Sequence, residues 1–366
     1  MIPIFEPNLS TLEKKYLNQA INEGWISSQG RFINEFENKF AERFDRKYGI
    51  ATSNCTTALH LSLVALGIGN GDEVICPNLT FIAPANMIAS TGAKPVLVDI
   101  EKNSWNLDPG LVKESITDRT KAIIIVHSFG HSAMLDELSE IARKNKLFLI
   151  EDNAESPGGL YKDKKLGSFG DLSCFSFFAN KIITTGEGGI VLTNDKKKYV
   201  VMKELRDHGM ANYKRYLHIR LGYNYRMTNM QAAIGLAQLS RLDDILKKRA
   251  DQEILYKSLL KSSALSFRPN QNWASPVHWL MTIKLKKEGI RDSLIEYLFK
   301  HNIDSRQMIY PVSFATHFKE ENKSKIFPLS ENIALNSLHL PSSTQLKNSE
   351  IRYISKKVLE GLEKYG

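Results

Sequence analysis

The sequence predicts an α/β fold with a mainly parallel central sheet flanked by helices, followed by a smaller α+β unit. Three observations predict it. From about residue 47 to residue 193, short apolar runs alternate with stretches of helical spacing. The runs are apolar throughout, as in strands buried on both faces, and strands alternating with helices imply crossover units. The last third then changes to an isolated strand, scattered helices and proline-punctuated loops.

Taken along the chain, strands are expected at Val74 to Pro77, Pro95 to Asp99, Ala122 to His127 and Phe148 to Asp152. Between them, Thr57 to Leu66 and Leu135 to Lys144 repeat their apolar residues at helical intervals, with acidic or hydroxyl residues near their starts. A long helical pattern runs from Met230 to Leu246 and ends in Lys247, Lys248 and Arg249, where cations suit the helix dipole. A strand over 280–285, a helix over 291–301, a loop-rich stretch over 310–341 and a final helix from Ser349 complete the chain. This divides it into a larger domain over 1–245 and a smaller one over 246–366. In sheets of this kind ligands sit beyond the carboxyl ends of the strands, so polar residues there carry the functional reading.

Composition narrows the classes. Hydrophobic residues at 42% and charged residues at 24% are ordinary globular values, which argues against disorder. Lys and Arg number 49 against 40 Asp and Glu, a formal charge of +9 that suits anionic ligands. Nucleic acid is not expected, because no binding module or aromatic-basic interleaving accompanies the short basic runs. The three cysteines, Cys55, Cys76 and Cys174, are far apart with no CxxC pair, so neither a disulfide framework nor a zinc site is expected. His60, His208, His278 and His339 lack pairing at helical spacing and read as packing or surface residues, and no metal is expected. No apolar run reaches the length of a membrane span and no leader is evident, so a cytoplasmic protein without membrane insertion is expected.

Three stretches carry chemistry. The apolar run Ser173 to Phe178 delivers Lys181 to a turn containing Thr184, Thr185, Gly186, Gly188 and Gly189, where burial could hold an amine partly desolvated for Schiff-base chemistry. Twenty-nine positions upstream (181 minus 152), Asp152 falls at the carboxyl end of an apolar strand. It could cap a helix, or it could meet a cation such as the protonated ring nitrogen of pyridoxal phosphate. The turn Thr52 to Thr57 leads into a helix; its hydroxyls could serve as caps, and its free N–H groups could hold a phosphate.

In this order, the three stretches resemble the fold-type I pyridoxal phosphate enzymes, and more narrowly the DegT/DnrJ/EryC1/StrS family of sugar aminotransferases. Further stretches share the resemblance: Gly24 to Ser28, Ala65 to Val74, Leu166 to Asp171, Thr184 to Gly189 and Gly222 to Asn229. It covers nearly the whole chain. The resemblance implies that Lys181 bonds the cofactor and later shuttles the proton. It implies that Asp152 keeps the cofactor ring nitrogen protonated, that Glu155 lies near the phenolic oxygen and that Phe81 stacks on the ring. Ser176 and the backbone of Cys55 and Thr56 would hold the phosphate, with Asn224 reaching it from the other subunit of a homodimer. Arg31, Arg226 and Arg306 are the candidate substrate cations.

The expected activity is transfer of an amino group from L-glutamate to a nucleotide-linked 4-keto-6-deoxy sugar for surface polysaccharide. A smaller phosphorylated ketone or an N-acetylated keto sugar is the alternative acceptor, and a catalytically silent binding protein of the same fold is the alternative class. Several positions depart from the family pattern. Cys55 stands where glycine is usual and is tolerable only with negative φ. Asn153, Ser156 and Pro157 follow the cofactor aspartate, and 127–131 and 313–317 are also unusual; these changes fall near expected substrate walls.

Overall fold

A computed structural model describes residues 1–366. Its centre is a seven-stranded sheet in the order Tyr48–Thr52, Gly189–Thr193, Leu172–Ser176, Phe148–Asp152, Thr120–Val126, Glu73–Pro77, Lys94–Val98. The last five strands of that order pair in parallel, whereas Gly189–Thr193 runs antiparallel to both neighbours. The sheet is therefore mainly parallel, and the four expected strands form four of its members.

Both faces are covered, which is why the strands read as unbroken apolar runs. Ile124, Val126 and Ile150 pack into one core with Leu59 and Leu63 of the helix Cys55–Ala65. Ile123, Ile125 and Leu149 face a second core built with Leu135 and Leu138 of the helix Leu135–Lys144. Successive strand residues thus alternate between two buried environments.

One expectation is corrected. The pattern from Met230 to Leu246 forms two helices, Asn229–Leu239 and Leu242–Leu259, because the chain leaves helical geometry at Arg241 (φ −111°, ψ 6°). There the Ser240 hydroxyl donates to the Ala237 carbonyl at 2.7 Å, while the Arg241 guanidinium donates to Glu13 and Asn8, each at 2.8 Å. Side-chain bonds to the N-terminal segment outcompete one more helical turn.

The expected boundary at residue 245 lies inside the helix Leu242–Leu259. Beyond that helix a four-stranded antiparallel sheet forms in the order Leu265–Ser266, Met281–Leu285, Ser337–Leu340, Arg306–Gln307. Its core includes Ile283, Leu294, Leu338 and Val358, the last from the helix Asn348–Tyr365. The loop-rich stretch returns to the larger unit: Val312, Phe318 and Phe327 pack into its core, and the Leu329 and Ser330 N–H groups donate to the Asp99 carboxylate. No helix is long and apolar enough to cross a membrane.

Candidate active site

The carboxyl ends of the parallel strands open into a cavity of about 500 Å³. Asp152 and Ser176 are the last residues of their strands, and Cys55 and Thr56 begin the helix that follows Tyr48–Thr52. All four line the cavity with Phe81, Glu155, Lys181 and Arg306. Residues 250 positions apart thus meet at the place where a parallel sheet gathers polar groups.

Asp152 is buried, and the one hydrogen bond to its carboxylate comes from the Ala154 N–H at 2.9 Å. No helix starts there, so the capping alternative falls away. Burial, with repulsion from Glu155, pushes the carboxyl up to about 6 against the pull of the Ala154 N–H and Lys181. A carboxylate held this way is short of a cation.

Lys181 sits in a turn closed by its own N–H donating to the Phe178 carbonyl at 2.9 Å, between a Phe177 N–H bond to Gly188 and a Thr185 N–H bond to Phe177. Its side chain is 13% exposed, and its ammonium lies 3.5 Å from Glu155 Oε1 and 4.0 Å from the centroid of the Trp279 ring. The other oxygen of Glu155 accepts from the Phe129 N–H at 2.6 Å. Phe129 holds a left-handed backbone (φ 54°), strain that only a fixed local structure sustains.

The helix start is prepared for an anion. Asn54 caps it by accepting from the Thr57 N–H at 2.8 Å, and the Cys55 and Thr56 N–H groups donate to no protein acceptor. Cys55 has negative φ, the condition under which its side chain is tolerable there, so it costs no backbone strain. Gly189 is needed beside it, since a Cβ there would lie 2.5 Å from the Asn54 carbonyl carbon.

Other expected residues lie elsewhere in the chain. Asn224 accepts from Arg226 Nε at 3.0 Å, Arg226 pairs with Asp207 at 2.8 Å, and neither lines the cavity. Arg31 is at the surface with Glu23 and Glu35. The cavity wall also holds residues that sequence reasoning did not single out for it: Trp279, Gln307 and His339. His339 is buried, as a packing residue should be, and burial holds its imidazole down at about 4. Its register opposite Arg306 on a neighbouring strand is what brings it to the wall, and that register has no local signal in the sequence.

A strand-end carboxylate short of a cation, a lysine in the same cavity and two free N–H groups at a helix start fit pyridoxal phosphate, which brings a ring nitrogen, an aldehyde and a phosphate. The fold and this donor set define the class of pyridoxal phosphate-dependent aminotransferases. Within that class, the chain belongs to the DegT/DnrJ/EryC1/StrS aminotransferase family, whose profile matches residues 7–359.

Similar proteins span its whole length. GDP-perosamine synthase of Escherichia coli O157:H7 is 41% identical over 359 residues, 98% of each chain. GDP-perosamine synthase of Caulobacter vibrioides is 43% identical over 357 residues, 96% of this chain and 95% of that one. Among solved structures, the Helicobacter pylori aminotransferase involved in pseudoaminic acid biosynthesis superposes with a TM-score of 0.94 at 27% identity, covering 100% of both chains. A Streptococcus pneumoniae protein described as a sugar aminotransferase, solved in a PLP form, gives 0.94 at 27% identity over 100% of this chain and 99% of that one. An aminotransferase acting on sugars takes an amino donor and a keto acceptor.

Proposed function

We propose that the enzyme moves the amino group of L-glutamate to a nucleotide-linked 4-keto-6-deoxy sugar in surface polysaccharide biosynthesis. The acceptor reading is carried by full-length similarity to GDP-perosamine synthases, at 41% and 43% identity. When bound, pyridoxal phosphate supplies an aldehyde for the donor amine and a ring that takes up the electron pair left at the donor Cα.

The residues of this chain have the following roles in that reading. Asp152 holds the proton on the ring nitrogen, its burial making that ion pair worth more than in water. The Cys55 and Thr56 N–H groups and the Ser176 hydroxyl bind the phosphate, and Phe81 covers one ring face. Lys181 Nζ bonds the cofactor at rest. Displaced by the donor, it takes the proton from Cα and hands it on, with Glu155 3.5 Å away to orient it. In the second half-reaction the nitrogen taken from the donor would replace the keto oxygen of the acceptor, which leaves as water, and Lys181 would return the proton to that carbon, with Arg306 at the cavity wall available to the acceptor's phosphates.

The unit of function in this reading is a homodimer. Tyr213, Tyr216 and Leu221, in the stretch that precedes Asn224, are 78%, 75% and 87% exposed, apolar side chains that contact with a second copy would cover. Such a contact supports Asn224 of one copy reaching the phosphate of the other. Adding glutamate to the holoenzyme should bleach its visible absorption band. Of a panel of GDP-, dTDP- and UDP-linked keto sugars and small keto-phosphates, a nucleotide-linked 4-keto-6-deoxy sugar should restore it fastest. Restoration by keto-phosphates alone would refute the acceptor reading.

A further inference from the structure

Trp279 belongs to the smaller unit by sequence, yet its side chain meets both Lys181 and the residue before it. Its ring face lies 4.0 Å from the lysine Nζ, inside the distance at which an ammonium is held by an indole quadrupole. Its Nε1–H donates to the Asn180 carbonyl at 2.7 Å, which pins the residue preceding the lysine. Its own carbonyl accepts from Arg249 Nη1 at 2.6 Å. Arg249 is 3% exposed on the long helix Leu242–Leu259 and also donates to the His278 and Ser342 carbonyls.

The indole is one end of a chain of aromatic rings. Its ring is 6.5 Å from that of His339, which is 5.7 Å from Phe129, which is 6.5 Å from Trp105. His339 is further fixed by Thr282 Oγ1, 2.9 Å from its Nδ1. Trp279 is 7% exposed and lines the cavity.

A lysine that bonds a cofactor carries a free amine whenever substrate has displaced it. We infer that Trp279 is a positioning residue: it seats the displaced amine of Lys181 against its ring face, between one bonding step and the next, within reach of Glu155. The inference rests on the proposed role of Lys181. A released lysine side chain has many rotamers, and a seat that restricts them keeps the proton acceptor near the atom it must serve.

The test uses Trp279→Leu, which removes the ring, and Trp279→Phe, which keeps a ring but loses the N–H donor. In cofactor-free protein, a limiting amine-acylating reagent read by peptide mass spectrometry should label Lys181 at least about threefold faster in Trp279→Leu than in wild type. Labelling of surface lysines should not change. In the holoenzyme, bleaching by glutamate should slow by about 10- to 100-fold while the half-saturating glutamate concentration changes by less than about threefold. Trp279→Phe should fall between wild type and Leu in both assays, and it decides the question if the Leu variant does not fold. Lys181 labelling and bleaching rates within about twofold of wild type in the folded variants overturn the proposal. Failure of the Lys181 reading itself shows separately, as a Lys181→Ala variant that still bleaches with glutamate.

Discussion

Glu151 and Asp152, adjacent on the strand Phe148–Asp152, have opposite surroundings. Glu151 is fully buried and accepts from the Gly167, Phe169 and Gly170 N–H groups, the Ser173 hydroxyl and His127 Nε2. Burial alone would raise it, but the His127 bond, the Arg46 charge and the backbone N–H groups hold it at about 2. Asp152 has one donor and stands at about 6. Strand alternation aims one carboxylate at the scaffold and the other at the cavity, so substituting each should have opposite effects on stability.

Asp152→Asn should stabilise the cofactor-free protein at neutral pH. A carboxyl raised from 3.8 to about 6 in the fold loses stability as pH rises between those values, a cost of about 3 kcal/mol at pH 7. The amide keeps the acceptor for Ala154 without that cost. Denaturant unfolding at pH 4 and pH 7 checks it: the gain should appear at pH 7 and shrink at pH 4. The same variant should bind pyridoxal phosphate at least about 10-fold more weakly, having lost the ring-nitrogen partner.

Glu151→Gln should act in the other direction. A carboxyl lowered from 4.5 to about 2 contributes stability above pH 4.5 that is lost as pH falls toward 2, about 3 kcal/mol in all. The variant should therefore unfold at lower denaturant at pH 7, and the gap should narrow on acidification. A variant of unchanged stability at pH 7 would show that the donors around Glu151 do not stabilise its charge.

Much of this site was legible in the sequence because its parts are local. Asp152 ends an apolar strand, Cys55 and Thr56 follow an Asn that caps a helix, and Lys181 sits in a Gly- and Thr-rich turn, each with a signal of its own within a few residues. Trp279, Gln307 and His339 had none. They reach the cavity through the register of the second sheet and the return of residues 310–341 onto the larger unit, which are long-range pairings. The break at Arg241 was hidden for a similar reason, since its partners Asn8 and Glu13 are more than 200 positions away.

Gly189→Ala should damage the phosphate cup without touching a titratable group. The added methyl would lie 2.5 Å from the Asn54 carbonyl carbon and 2.7 Å from the Cys55 nitrogen, displacing the free N–H groups. Cofactor affinity, measured by fluorescence titration, should fall by about 10-fold or more, and inorganic phosphate should compete less well than with wild type.

Arg306→Gln should separate the two half-reactions. Arg306 lines the cavity, yet its side chain is 61% exposed, as expected of a group that meets the outer part of a long acceptor. The KM of the nucleotide sugar should rise about 10-fold, the scale of a lost charge-assisted bond, with bleaching by glutamate within about twofold of wild type. Equal damage to both halves would place Arg306 at the donor instead.

In the proposed reaction everything turns on Lys181 bonding the cofactor. Borohydride reduction of the holoenzyme, followed by proteolysis and mass spectrometry, tests it directly by making that bond permanent. The reduced cofactor should be found on the peptide containing Lys181, and prior addition of glutamate should abolish the adduct. An adduct on another lysine, or none from a holoenzyme that still bleaches with glutamate, would contradict the assignment.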